Sequence, residues 1–153
     1  MSALADSVPH IRDMAETDLD RVMAIESSIY THPWTRGNFL DSIKAGYTCH
    51  VMEVGEELIA YGVLAVAAGE AHVLNISVAP HWQRRGYGRS LLLHFIDLSR
   101  QASASQMLLE VRWSNDGGRN LYTSMGFRQL AVRPGYYPAI HGREDAILMG
   151  FDL

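Results

Sequence analysis

At 153 residues, 48% hydrophobic and 20% charged, the chain has ordinary globular composition and the length for one domain over residues 1–153 with a sizeable buried core. Its net charge of -4 argues against a broad phosphate-reading surface, so nucleic acid is not an expected partner and any basic character must be local. Cys49 is the only cysteine, which excludes an intramolecular disulfide; with no leader pattern in "MSALADSVPHIRDM" and no apolar run of roughly 20 residues, a soluble cytoplasmic protein without a membrane partner is expected.

Taken in order, His10 to Met14 reads as a short strand. Thr17 is placed to cap a helix in which Leu19, Val22, Met23 and Ile25 recur at helical spacing up to about Tyr30. "THPWT" interrupts, and Thr35 can cap a second helix whose apolar face is Phe39, Leu40 and Ile43. From Tyr47 the pattern becomes β: "YTCHVMEV", the turn "GEE", "LIAYGVLAVA" and "AHVLNISVA" follow one another as strands, and Pro80 ends the run. A helix from about Gly86 to Ala102 carries Leu91, Leu92, Phe95 and Ile96 on one side. "QMLLEVRW" is a strand, "GGRNLYTSMGF" a short helix ending at Gly126, and "RQLAVRPGYY" with "DAILMGFDL" a closing strand pair. The order β-α-α-β-β-β-α-β-α-β-β places one strand-helix-strand crossover after a run of antiparallel strands, which predicts a mixed sheet with helices on its faces.

The stretch "QRRGYGRS", Gln83 to Ser90, sits between a strand and a helix start. The first NH groups of a helix lack internal partners and the helix dipole favours negative charge there, so such a turn is suited to phosphate. Gly86 and Gly88 allow close approach, and Arg84, Arg85 and Arg89 can add charge-assisted bonds. A P-loop is excluded because Gly88 is followed by Arg89 instead of a Lys-Ser or Lys-Thr pair, and a dinucleotide fingerprint because Leu91 stands where its third glycine belongs. The alternative is a solvated basic helix start with glycines serving the turn.

In "MLLEVRW", strand alternation puts Met107, Leu109 and Val111 on one face and Leu108, Glu110 and Arg112 on the other. Glu110 is thus a carboxylate on a strand expected to be central, poised between burial and the charge of Arg112, which suits a general base; the alternative is a surface Glu110–Arg112 pair. Tyr122 on the next helix can donate a proton or pack that helix on the sheet. The seven histidines contain no pair at metal-ligand spacing, so no metal is expected. Trp34, Tyr136 and Tyr137, read as loop residues, either line a substrate groove or pack over the core edge.

Together the element order, "NISVAPHWQRRGYGRSLL" and "LEVRWSN…LYTSMGF" resemble the GNAT superfamily of acetyl-CoA-dependent N-acetyltransferases over nearly the whole chain. Gln83, Gly86 and Gly88 match its Gln/Arg-x-x-Gly-x-Gly/Ala turn, and "HPWT", "LEVRWSN" and "YYPAIHGREDAILM" narrow the likeness to the branch that acetylates the amino-terminal alanine of bacterial ribosomal small-subunit protein eighteen. The resemblance implies an α/β (α+β) fold with a mixed, mostly antiparallel central sheet and helices on both faces. It implies acetyl-CoA as co-substrate, no metal, and a ribosomal protein's N-terminus as the partner; a monomer is the default. It implies backbone contacts to acetyl-CoA at Ile76, Ser77 and Val78, pyrophosphate contacts at Arg84, Arg85, Gly86, Tyr87, Gly88 and Arg89, a further coenzyme contact at Asn115, the proton acceptor at Glu110 and the proton donor at Tyr122. Gly117 and Gly118 stand where the family has better helix formers, which predicts that the helix carrying Tyr122 starts late or frays. A small-amine or polyamine acetyltransferase and a non-catalytic acyl-CoA-binding module are the competing readings. Glu26, Glu144 and Asp145 are candidates for an acidic groove that receives the arginine-rich start of the ribosomal substrate.

Overall fold

The computed structural model describes residues 8–153; the stretch 1–7, in which no leader pattern was expected, lies outside the described residues. The elements are β1 (His10–Asp13), α1 (Leu19–Ile29), α2 (Arg36–Lys44), β2 (Thr48–Val54), β3 (Glu57–Ala67), β4 (Glu70–Val78), α3 (Tyr87–Gln101), β5 (Gln106–Arg112), α4 (Asp116–Ser124), β6 (Arg128–Ala139) and β7 (Gly142–Asp152). The strands form one seven-stranded sheet in the order β1-β2-β3-β4-β5-β7-β6. Strand β4 runs parallel to β5, whereas β1 with β2, β2 with β3, β5 with β7 and β6 with β7 are antiparallel. The expected mixed, mostly antiparallel sheet and the order of elements are therefore both present. Among the described residues no helix is long and apolar enough to cross a membrane.

The chain divides into two compact units, 8–64 with 75–94, and 65–74 with 95–153, within the described residues. In the first unit Leu19, Val22 and Phe39 from the two helices are buried with Val51, Tyr61 and Val63 from the strands. Trp34 and Tyr61 flank the Phe39 ring at centroid distances of 5.0 and 5.7 Å, an aromatic cluster that fixes α2 over the sheet. Thr35 caps α2 as expected: its hydroxyl accepts from the Asn38 NH, and the Asn38 side-chain oxygen accepts from the Thr35 NH. At α1 the expectation fails. Asp18, not Thr17, is the N-cap residue of α1 and makes no side-chain bond into the helix; a 3-10 turn over Glu16–Asp18 precedes it, and the Asp18 carboxylate accepts from the Ala15 NH at 2.7 Å. The same carboxylate binds Arg12 and Arg21 at 2.8 Å each, which a threonine hydroxyl could not do.

In the second unit β5 is paired to β7 along its whole length, from Gln106 with Asp152 to Arg112 with Ala146. Its burial alternates, with Met107, Leu109 and Val111 inside and Leu108, Glu110 and Arg112 half-buried, as period-two reading requires. The β6–β7 pairing shifts register between Arg133 and Tyr137. Pro134 has no NH for the ladder and Gly135 takes φ of +59°, so the chain bulges there and Tyr136 and Tyr137 lie in a strand, not in a loop.

Candidate active site

The turn after β4 is tied down from several directions within the first unit. The Gln83 side chain donates to the Val78 carbonyl at 2.9 Å, and the Trp82 indole NH donates to Glu57 at 2.7 Å. Arg84 and Gly86 adopt φ of +60° and +89°. The left-handed conformation of a non-glycine residue costs about 1 kcal/mol, a strain typical of ligand-binding turns. A side chain at Gly86 would meet nothing within 4 Å, so glycine serves the backbone conformation there and leaves the space beyond it open. The Ser90 NH makes the bond to the Gly86 carbonyl at 3.0 Å, so the NH groups of Tyr87, Gly88 and Arg89 precede the helical ladder and lack partners within it. Arg84, Arg85 and Arg89 are exposed; the Arg85 guanidinium lies 5.1 Å from the Trp82 ring centroid. This donor set of helix-start NH groups and cations fits an anionic diphosphate.

Immediately before the turn, the Ser77 hydroxyl is buried and meets the Tyr30 hydroxyl at 2.7 Å and the Asn75 side-chain oxygen at 2.8 Å. That chain leads to Glu26, whose carboxylate accepts from the Tyr61 hydroxyl at 2.6 Å, from the Trp34 NH at 2.9 Å and from the Asn75 amide at 3.3 Å. Glu26 is only 1% exposed, which corrects its assignment to an open acidic groove: it braces the segment after α1 against β3 and β4. Burial and then the Glu26 charge push the Tyr61 phenol far above its ordinary value, so it serves as a fixed donor. The sequence signal was present, since Glu26 follows Leu19 by seven positions and Val22 by four and so shares the apolar stripe of α1. The histidines also hold a pair that spacing did not reveal, His50 with His94 at 2.9 Å.

In the second unit Glu110 lies on β5 with one oxygen 3.7 Å from the Arg133 guanidinium and the other, Oε2, buried and without a hydrogen bond. The alternative reading, a surface Glu110–Arg112 pair, is not what forms. Arg112 is taken by Glu144 at 3.0 Å and by the Pro138 carbonyl at 2.8 Å, with its guanidinium 4.4 Å from the Tyr137 ring centroid. Hydrogen bonds from Ser114 and then from Arg112 hold the Glu144 carboxyl below its ordinary range. Asp145 accepts from the Gly135 NH, so it pins the β6 bulge. Desolvation, followed by the Glu110 charge, pushes the Tyr137 phenol up to about 12.

Tyr122 is buried on α4, its ring 5.8 Å from that of Phe127. The helix neither starts late nor frays at the glycine pair: it begins at Asp116, and the Asn115 side chain caps it by accepting from the Gly118 NH at 2.9 Å. A Cβ on Gly118 would stand 2.7 Å from the Asn115 side chain, so this glycine makes room for the cap. Among the described residues no group of three or more His, Cys, Asp or Glu side chains is placed to hold a metal ion.

Residues 19–127 match the acetyltransferase (GNAT) family. The chain belongs to the GNAT acetyltransferase family. It is 35% identical over 143 residues to the [ribosomal protein bS18]-alanine N-acetyltransferase of Escherichia coli K12, covering 94% of this chain and 97% of that relative. Among solved structures it is similar to the ribosomal-protein-S18-alanine N-acetyltransferase from Escherichia coli, with a TM-score of 0.88, 34% identity and coverage of 95% and 94% of the two chains. Ard1 from Thermoplasma volcanium gives a TM-score of 0.87 at 26% identity, covering 95% of this chain and 97% of its own. The GNAT fold thus extends over nearly the whole chain, and this protein is an enzyme of a family that uses acetyl-CoA.

Proposed function

We propose that this enzyme transfers the acetyl group of acetyl-CoA to the amino-terminal α-amine of an alanine-starting ribosomal protein of the bS18 kind, acting as a cytoplasmic monomer in which both units serve as one domain. The substrate reading is supported by the 35% identity, over 94% of the chain, to a relative with that activity. The chemistry rests on one observation, the half-buried carboxylate of Glu110 on the central strand β5, with Arg112 turned away from it to Glu144.

An α-amine has a pKa of about 8, so at neutral pH a base must take its proton before it can attack a carbonyl. A half-buried carboxylate such as that of Glu110 is suited to accept that proton, directly or through one water. Acetyl-CoA, when bound, supplies an acyl group activated as a thioester. The NH groups of Tyr87, Gly88 and Arg89, with Gly86 and the cations of Arg84, Arg85 and Arg89, hold the pyrophosphate. The backbone of Ile76, Ser77 and Val78 orients and polarises the acyl carbonyl; the β4–β5 register runs from Glu70 with Gln106 to Val73 with Leu109, upstream of these residues. Asn115 spends its oxygen on the α4 cap and keeps its amide nitrogen for the coenzyme. Tyr122 holds a proton at its phenolic oxygen for the departing sulfur.

Mass spectrometry of peptides with varied N-termini, incubated with enzyme and acetyl-CoA, tests the substrate. The alanine-starting ribosomal peptide gains one acetyl group at its α-amine. If it stays unmodified while another N-terminus or a small amine is acetylated, the substrate reading is wrong.

A further inference from the structure

We infer that Arg112 is a positioning residue for the peptide side of the site: held by Glu144, its guanidinium carries the Tyr137 ring and the Pro138 carbonyl and so fixes the overhanging end of the β6–β7 hairpin beside Glu110. This rests on Glu110 being the proton acceptor and adds what shapes the surface over which the substrate's N-terminus reaches it.

The register puts these groups on one face of the sheet. Glu110 stands opposite Leu148 and Arg112 opposite Ala146, whereas Tyr137 on β6 stands opposite Glu144. Side chains repeat every two residues along a strand and directly opposed partners share a side, so Glu110, Arg112, Ala146, Glu144 and Tyr137 point the same way. An amine that gives its proton to Glu110 lies on that side, and the residues behind it run over the same face.

The β5–β7 pairing ends at Arg112 with Ala146, but β6 and β7 go on pairing from Tyr137 with Glu144 to Ala139 with Gly142. Side chains and caps hold this overhang. Arg143 donates to the Tyr136 carbonyl and Asp145 accepts from the Gly135 NH, both within the hairpin. From the end of β5, the Trp113 NH donates to the Asp145 carbonyl and the Ser114 NH to Glu144, which tie down β7. Arg112 reaches across β7 to β6: it donates to Glu144 at 3.0 Å and to the Pro138 carbonyl at 2.8 Å, with the Tyr137 ring centroid 4.4 Å from its guanidinium. Ala146 ends at Cβ, which leaves room for the arginine to lean along the diagonal to Glu144. A planar guanidinium can bond two acceptors while lying on a ring, and both members of the ion pair are half-buried, where salt screens it less. Burial and then the Glu110 charge push the Tyr137 phenol up to about 12, with Arg112 acting the other way, so the three side chains are within electrostatic reach of one another.

Steady-state kinetics on the full chain, with an N-terminal peptide that the wild type acetylates, test this. Arg112→Met combined with Glu144→Gln removes the pair without stranding a charge and keeps an acceptor for the Ser114 NH. The double variant raises KM for peptide about ten-fold, with kcat and KM for acetyl-CoA changed less than about three-fold. Tyr137→Ala raises KM for peptide by a similar factor, and adding the double change to it costs less than about two-fold more, because the ring that Arg112 carries is already gone. If thermal melts show the double variant unfolded, Arg112→Lys takes its place; it keeps a charge beside Glu144 without the planar stack, and an approximately three-fold rise in peptide KM is expected. An unchanged peptide KM, equal rises for peptide and acetyl-CoA, a loss confined to kcat, or full additivity with Tyr137→Ala overturns the inference. A wild-type kcat for Glu110→Gln overturns the base assignment instead, a result distinguishable from the others.

Discussion

Asn115 and Gly118 are fitted to each other: the Asn115 side-chain oxygen accepts from the Gly118 NH at 2.9 Å, and a methyl group on Gly118 would stand 2.7 Å from the same side chain. Helix propensity alone rates either glycine of the pair as a loss of about 1 kcal/mol relative to alanine. The cap reverses that judgement at one of them. Gly117 has nothing within 4 Å of a Cβ, so Gly117→Ala stabilises by up to about 1 kcal/mol, whereas Gly118→Ala displaces a cap of similar size and gains nothing net. Thermal melts should show Tm rising for the first variant and unchanged or lower for the second. Gly118→Ala should also weaken acetyl-CoA binding by calorimetry, through the displaced Asn115.

Glu110→Gln and Tyr122→Phe preserve shape while removing the proton acceptor and the proton donor. Each should reduce turnover by about a hundred-fold or more with acetyl-CoA affinity nearly intact. Tyr122→Phe keeps the ring contact with Phe127, so its melting temperature should stay near wild type. Wild-type rates at every pH for either variant would remove that residue from the mechanism.

Acid stability should depend on a buried carboxylate cluster. The Asp18 carboxyl is held far below its ordinary range by Arg12 first, and Glu53 is lowered by the same arginine. A carboxylate depressed in the folded state contributes stability above its unfolded value of about 4 and loses it as pH falls through the folded one. The urea midpoint should therefore decline as pH falls from about 4 toward strong acid. Asp18→Asn should cost roughly 2 kcal/mol at neutral pH and flatten that decline, because Arg12 and Arg21 lose their shared partner.

Glu26 offers a separate test of whether the first unit depends on its buried hydrogen bonds. Tyr61→Phe removes the 2.6 Å donor and leaves the carboxylate partly unsatisfied inside the core, at a cost of roughly 1–3 kcal/mol. Glu26→Ala strands the Tyr61 hydroxyl, the Asn75 amide and the Trp34 NH together and should cost more. Denaturant midpoints rank the two, and the reverse order would mean that the carboxylate is a burden its partners merely tolerate.

What the sequence determined by itself was everything that a local period or a fixed turn spacing encodes. Leu91, Leu92, Phe95 and Ile96 are buried on α3 because a helix returns to one face every three or four residues, and Glu110 falls on the half-buried face of β5 because a strand alternates. The Gln83–Ser90 turn likewise carries its own conformational demands in its glycines. Tertiary structure decided the partners. Arg112 is two residues from Glu110 and on the same face, yet it pairs with Glu144, thirty-two positions away, because β7 lies beside β5 in a register that spacing does not encode. The same holds for Asp18, on which two arginines converge beside the α1 entry, and for Glu26, whose polar partners come from β3, β4 and the segment after α1. Periodicity is a property of a few consecutive residues, whereas the stabilisation of a charge or a buried hydrogen bond depends on which distant atoms the fold delivers to it.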